Sequence, residues 1–140
     1  MTETRPYSDA LERLRAANLR PTRQRMALAK LLFSGASRHV TAEGLHKEAL
    51  ANRFRVSLAT VYNSLHQFTA SGMLREVVVD SSRSYFDTNV ADHHHFFCED
   101  TQLLEDIPGK AVAVGDVPRP PEGTSISRID VVVRVRRDSS

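Results

Sequence analysis

The sequence predicts an α+β fold in which helices come first and short strands follow. Three observations carry this expectation. As far as Gly72, apolar residues recur at helical spacing behind the capping residues Ser8, Thr22, Thr41 and Ser57. From Arg75 onward they fall in short β-type runs separated by Ser, Gly and Pro. The charge also changes sign along the 140 residues: positions 1–90 hold 13 Lys/Arg against 8 Asp/Glu, and positions 91–140 hold 6 against 9.

The first helix is expected from a cap at Ser8 to about Ala17, with Leu11 and Leu14 inward, and Pro21 disfavours a helical Arg20. Thr22 caps a second helix with Met26, Leu28, Leu31 and Leu32 inward, ended by Gly35. Thr41 caps a third, with Ala42, Leu45 and Ala49 inward. Ser57 caps a fourth that runs to about Ser71 and stops at Gly72. The run Arg75–Asp80, a turn over Ser81–Ser84 and the return Tyr85–Asp87 read as a β-hairpin. Helices followed by a two-stranded hairpin are the order of a winged helix-turn-helix domain. Beyond it, strands are expected at His93–Cys98 and near Gln102–Ile107. After the Pro/Gly-rich loop Val117–Gly123 comes a period-2 strand, Ile129 to Val135, half-buried against a partner strand of the same chain or of a second copy.

Composition bounds the function. Hydrophobic residues make up 41% and charged residues 26%, the balance of a globular domain, and no apolar run reaches the length of a membrane span. The opening Met1–Pro6 lacks the apolar stretch of an export signal, so the chain is expected in the cytoplasm and away from membranes. A single cysteine, Cys98, excludes an intrachain disulfide and a four-thiolate metal centre within one chain. Strand parity places Cys98 on the opposite face from His93 and His95, leaving no nucleophile–base pair, so no enzymatic activity is expected.

At about 100° per residue, the fourth helix turns Leu58, Val61, Leu65 and Phe68 inward. Ala59, Thr60, Asn63 and Gln67 face outward, flanked by Tyr62 and His66. Amide side chains can pair with adenine edges in the major groove, and small methyls can meet thymine methyls. Phosphate contacts are expected from Arg20, Arg23, Arg25, Arg53, Arg55, Arg75 and Arg83, with Arg20 placed to enter a minor groove. The residues assigned to DNA are thus Arg20, Arg23, Ser57, Thr60, Tyr62, Asn63 and Gln67. Any amphipathic helix shows a polar outer face, so the order of the surrounding elements carries this assignment.

The run His93-His-His-Phe-Phe-Cys98 supplies metal chemistry. On a strand, His93 and His95 point one way and His94, Phe96 and Cys98 the other, and two imidazoles two residues apart form a claw for a transition metal. Asp87, Asp106 and His39 are further candidate donors; spacing alone does not bring His39 and Asp106 to the same place. A nitrogen and carboxylate set suits Fe(II) or Mn(II), and Zn(II) also binds such donors.

The segments Asn18–Arg25, Arg38–Leu45, Ser57–Leu65, Ser84–Asp87 and His93–Cys98 together resemble the ferric uptake regulator family over essentially the whole chain. The resemblance implies a homodimer with a winged-helix domain, here residues 1–88, and a small α/β metal- or haem-sensing dimerisation domain, residues 89–140. It implies metal-controlled binding to an AT-rich inverted repeat of double-stranded DNA, with repression or activation of genes as the outcome. It places the regulatory metal at His39, Asp87, His93, His95 and Asp106, Tyr62 on the reading helix and Arg20 at the minor groove. The two Cys-x-x-Cys pairs that hold a structural zinc in most members are missing, Cys98 standing with Thr101 in place of the first. In this the chain is similar to the iron response regulator branch, whose members respond to haem. The implied effector is then haem, alone or brought by a delivering protein, with His93, His94 and His95 as axial candidates and His46 and His66 as weaker ones. The alternatives are a peroxide- or manganese-sensing repressor of the same family, or a metal or haem carrier that binds no DNA.

Overall fold

The computed structural model describes residues 5–139, the side chains from Ser8 onward, so Met1–Thr4 of the export-signal reading lie outside it. The chain divides into two compact units, Met1–Val90 and Ala91–Ser140.

The first unit runs α1 (Arg5–Ala16), α2 (Arg23–Phe33), β1 (His39–Val40), α3 (Ala42–Ala51), α4 (Leu58–Ala70), β2 (Arg75–Asp80) and β3 (Arg83–Asp87). Three of the helices begin where a hydroxyl satisfies an otherwise orphaned amide. Thr22 accepts from the Arg25 N–H, Thr41 from that of Gly44 and Ser57 from that of Thr60. After Ser71, Gly72 takes a φ of +86°, the left-handed geometry that closes α4 and turns the chain into β2. Strands pair antiparallel in the order β1-β3-β2, and His39 stands directly opposite Asp87. Leu14, Leu28, Leu32, Leu45, Val61, Leu65, Phe68 and Phe86 form the centre of one apolar core. Each such side chain contributes roughly 1.5–3 kcal/mol by leaving water. That core fixes the roll of α4 and so decides which of its residues face solvent.

The second unit is a three-stranded sheet in the order β5-β4-β6, made of β4 (His93–Cys98), β5 (Leu104–Pro108) and β6 (Val132–Val135). β5 pairs antiparallel with β4, and β6 pairs parallel with it. Gly109, in a 3-10 turn after β5, lies so close to Asp92 that a Cβ would stand 2.9 Å from its carbonyl oxygen. One sheet face carries His93, His95 and Phe97, with Asp106 opposite His95. The other carries His94, Phe96 and Cys98, with Val133 and Val135 opposite Phe96 and Cys98.

Several expectations are corrected. Helix α1 begins at Arg5, so Ser8 lies inside it and caps nothing; Pro6 sits in the first turn, where its missing N–H is no loss. Its inward residues are Ala10 and Leu14, one turn apart, with Leu11 half-buried. On α2, Ala29 joins Leu28 and Leu32 inside, while Met26 and Leu31 pack at the margin; on α4, Ser64 replaces Leu58 among the buried residues. The hairpin turn is only Ser81-Ser82, with Arg83 and Ser84 already in β3. Among the described residues the second unit holds no α-helix, against the α/β expectation, because Pro118, Pro120, Pro121, Gly115 and Gly123 interrupt the connection after the 3-10 turn. The period-2 strand shrinks to Val132–Val135, and Ile129, Val133 and Val135 are exposed rather than half-buried.

Candidate functional site

Two sets of chemistry-bearing residues stand out, one on α4 and one at the strand ends. On α4, Ala59, Tyr62, Asn63, His66 and Gln67 are exposed along one side, and Arg20 and Arg23 are exposed before and at the start of α2. The Ser57 hydroxyl donates to the Thr60 hydroxyl at 2.9 Å, so this pair is occupied in starting the helix. Tyr62 donates its hydroxyl to Oε1 of Glu43 at 2.6 Å. That bond holds the Glu43 carboxyl below its ordinary range and pushes the Tyr62 phenol above its own. His66 stacks on Tyr62 and meets Phe86 edge-on, while His46 bonds the Val56 carbonyl at 2.9 Å.

The expected phosphate contacts divide. Arg53 and Arg55, in the α3–α4 turn, are exposed. Arg25 points its guanidinium at Gln67 and at the Arg20 carbonyl. Arg75 is 4% exposed, which removes it from the residues that can reach a phosphate. The cause is register: it lies opposite the fully buried Asp87 on the inward row of β2.

The metal candidates form one group in each unit. In the first, Nε2 of His39 lies 3.1 Å from Oδ2 of Asp87, whose other oxygen accepts the Asn89 N–H at 2.9 Å. In the second, Nε2 of His93 and Nε2 of His95 each lie 3.3 Å from the same oxygen, Oδ1 of Asp106. His93 and His95 are buried, with ring centroids 4.6 Å apart, and Asp106 keeps its side chain 38% exposed. The His93 Nδ1 donates to the Ala91 carbonyl at 2.5 Å, which in the neutral ring turns the Nε2 lone pair toward Asp106. Two imidazole nitrogens turned on one carboxylate oxygen, one of them oriented from behind by a backbone carbonyl, form part of a donor set that a divalent cation can use. The donors fit Fe(II), Mn(II) or Zn(II).

His94 does not join them. It lies on the opposite sheet face, and its Nδ1 accepts the backbone N–H of Val131 at 3.0 Å. A neutral ring so bonded carries its proton on Nε2, the atom a haem iron would need. Sequence reasoning missed the Ala91 carbonyl, the Arg25–Gln67 contact and the Tyr62–Glu43 bond. A signal existed for the last alone, since both residues lie on the outer faces of consecutive helices.

Known proteins resemble the chain in both sequence and fold. A profile of the ferric uptake regulator family matches residues 16–115. The chain is 37% identical over 99 residues to the peroxide operon regulator of Bacillus subtilis, a match covering 70% of this chain and 67% of that protein. It is 38% identical over 92 residues to the peroxide-responsive repressor PerR of Staphylococcus epidermidis, covering 65% and 60%. The chain therefore spans about two thirds or less of the length of these relatives. The ferric uptake regulator of Pseudomonas aeruginosa with manganese has a TM-score of 0.68 at 25% identity, over 93% of this chain and 98% of that one. The Vibrio cholerae ferric uptake regulator has a TM-score of 0.69 at 21% identity, over 90% and 98%, a likeness of fold.

Proposed function

The chain belongs to the ferric uptake regulator family, and from that premise we propose that it is a metal-responsive, DNA-binding transcriptional regulator that senses iron. The observation that carries the reading is the convergence of His93 and His95 on one oxygen of Asp106. The proposed regulatory site takes His39 and Asp87 from the first unit and His93, His95 and Asp106 from the second. Donor chemistry supports it: three imidazoles and two carboxylates, with no thiolate, suit Fe(II) or Mn(II) and tolerate Zn(II). A bound divalent ion supplies positive charge and a fixed set of directions for its donors. The residues do the rest. Asp87 ends β3 and His93 begins β4, so donors held in common restrict the five residues between them. In a homodimer that restriction sets the spacing of the two reading helices, and so the affinity for an inverted repeat.

The DNA surface in this reading is Arg20, Arg23, Ser57, Thr60, Tyr62, Asn63 and Gln67, with an AT-rich inverted repeat as the target and repression as the outcome. The reading places the protein in the cytoplasm; no described helix is long and apolar enough to cross a membrane. The matched relatives are named as regulators and repressors, not as enzymes.

Two finer readings follow. The names of the relatives favour a peroxide response, in which oxidation of the His39 or His93 imidazole removes a metal donor and releases DNA. The histidine run His93–His95 is the feature that favours control by haem. In that case His93 and His95 are the better axial candidates, since the His94 Nδ1 is taken by Val131. Fluorescence anisotropy on an AT-rich inverted-repeat duplex at fixed salt tests all three. Binding that Mn(II) strengthens supports the regulator, and its reversal by haem or by peroxide selects the effector. Absence of binding with and without metal would overturn the proposal in favour of a metal or haem carrier.

A further inference from the structure

Gln67 lies on the outward side of α4, where a free amide would read adenine by accepting from its N6 amino group and donating to its N7. The structure does not leave that amide free. Nε and Nη2 of Arg25 lie 3.2 Å and 2.9 Å from Oε1 of Gln67. The remaining arm, Nη1, donates to the Arg20 carbonyl at 2.9 Å, which anchors the guanidinium from the other side. A guanidinium has donors only, so the atom facing it is the amide oxygen whichever way the amide is drawn. What Gln67 still offers is its NH2 group, two donors with no partner among the described residues. Adenine would then keep one bond, at N7, while its N6 amino group loses its acceptor and faces N–H groups. Guanine, with acceptors at N7 and O6, and thymine, with an acceptor at O4, match them.

We propose that Arg25 is a positioning residue that sets base specificity: by occupying the Gln67 oxygen, it makes Gln67 a donor-only reader that favours guanine or thymine over adenine. The inference rests on α4 being the DNA-reading helix. It gives Arg25 a role other than the phosphate contact expected from its charge. Arg25 comes from the start of α2, 42 residues before Gln67, so the specificity of one helix is set from another.

The test is selection of bound duplexes from a randomised pool by the Mn(II)-loaded protein, for wild type, Arg25→Met and Gln67→Ala. Methionine keeps the length of the arginine stem and removes every donor. Gln67→Ala identifies the base position that depends on Gln67. Wild type is expected to prefer guanine or thymine there. Arg25→Met is expected to move the preference toward adenine by about 5- to 150-fold, the span of one good bidentate contact. Unchanged preference at that position in Arg25→Met, with its melting temperature showing a folded protein, would overturn the inference while leaving the DNA-reading proposal intact. Adenine already preferred by wild type would do the same, as would a Gln67→Ala profile identical to wild type at every position. Failure of wild type to enrich any sequence would overturn the DNA-reading proposal itself, and the inference with it.

Discussion

Replacing Asp106 with alanine separates metal binding from folding. The carboxylate is 38% exposed, and its oxygen faces Nε2 of both His93 and His95 at 3.3 Å. As a partly solvated partner of two imidazoles it adds little to the metal-free fold, within about 1 kcal/mol by the measure of exposed ion pairs. As a metal donor it matters much more. With Mn(II) at about 100 times its dissociation constant, linkage stabilises the wild type by about 2.7 kcal/mol. If loss of the donor weakens affinity by about 100-fold, the upper end for disturbed metal sites, the same Mn(II) stabilises Asp106→Ala by only about 0.4 kcal/mol. The difference is about 2.3 kcal/mol, or roughly 5–10 °C in melting temperature for a chain of this length. Calorimetry of both proteins with and without Mn(II), and with Mg(II) as a control for ionic strength, measures it. The reasoning is refuted if Asp106→Ala keeps the full Mn(II)-dependent shift. It is equally refuted if the metal-free variant melts lower by as much as the wild type gains from metal.

Other consequences are checked more simply. Arg23→Ala should lower the salt-dependence slope of DNA binding by about one unit, whereas Arg75→Ala should leave the slope alone and lower stability, because Arg75 is buried. Glu43 has a depressed pKa because it accepts the Tyr62 hydroxyl, so their bond is intact above the ordinary carboxylate range and is lost as pH falls through the depressed value. NMR titration of the Glu43 carboxyl should therefore move up to the ordinary range in Tyr62→Phe, and an unmoved titration would show that the bond is absent in solution. Thr41→Ala removes the cap of α3 and should cost about 1 kcal/mol in urea unfolding. Chelation of metal by EDTA should weaken operator binding in the wild type and leave binding by Asp106→Ala little changed.

What the sequence shows, and what it conceals, follows the range of the interactions. Caps and periodicity are local, so Thr22, Thr41, Ser57 and Gly72 mark α2, α3 and α4 directly. Strand parity is also local, and it alone places His93 and His95 on one face and His94 on the other. The β1 strand has two residues, too few for any periodic signal, yet it is what brings His39 opposite Asp87. Arg75 looks like a solvated wing arginine until its register beside Asp87 is known. Similarly, Val133 and Val135 have the alternation of a half-buried strand, and only the folded chain shows both to be exposed.

The pairing of β6 with β4 also sets an order of assembly. β4 and β5 are joined by a short turn in which the Gln102 N–H returns to the Cys98 carbonyl, so this hairpin closes early. It already holds His93, His95 and Asp106. β6 reaches β4 only across 37 residues, through contacts such as the Val131 N–H to His94, and a loop of that length closes more slowly. As the chain leaves the ribosome, the hairpin that carries His93, His95 and Asp106 is therefore complete before its third strand arrives.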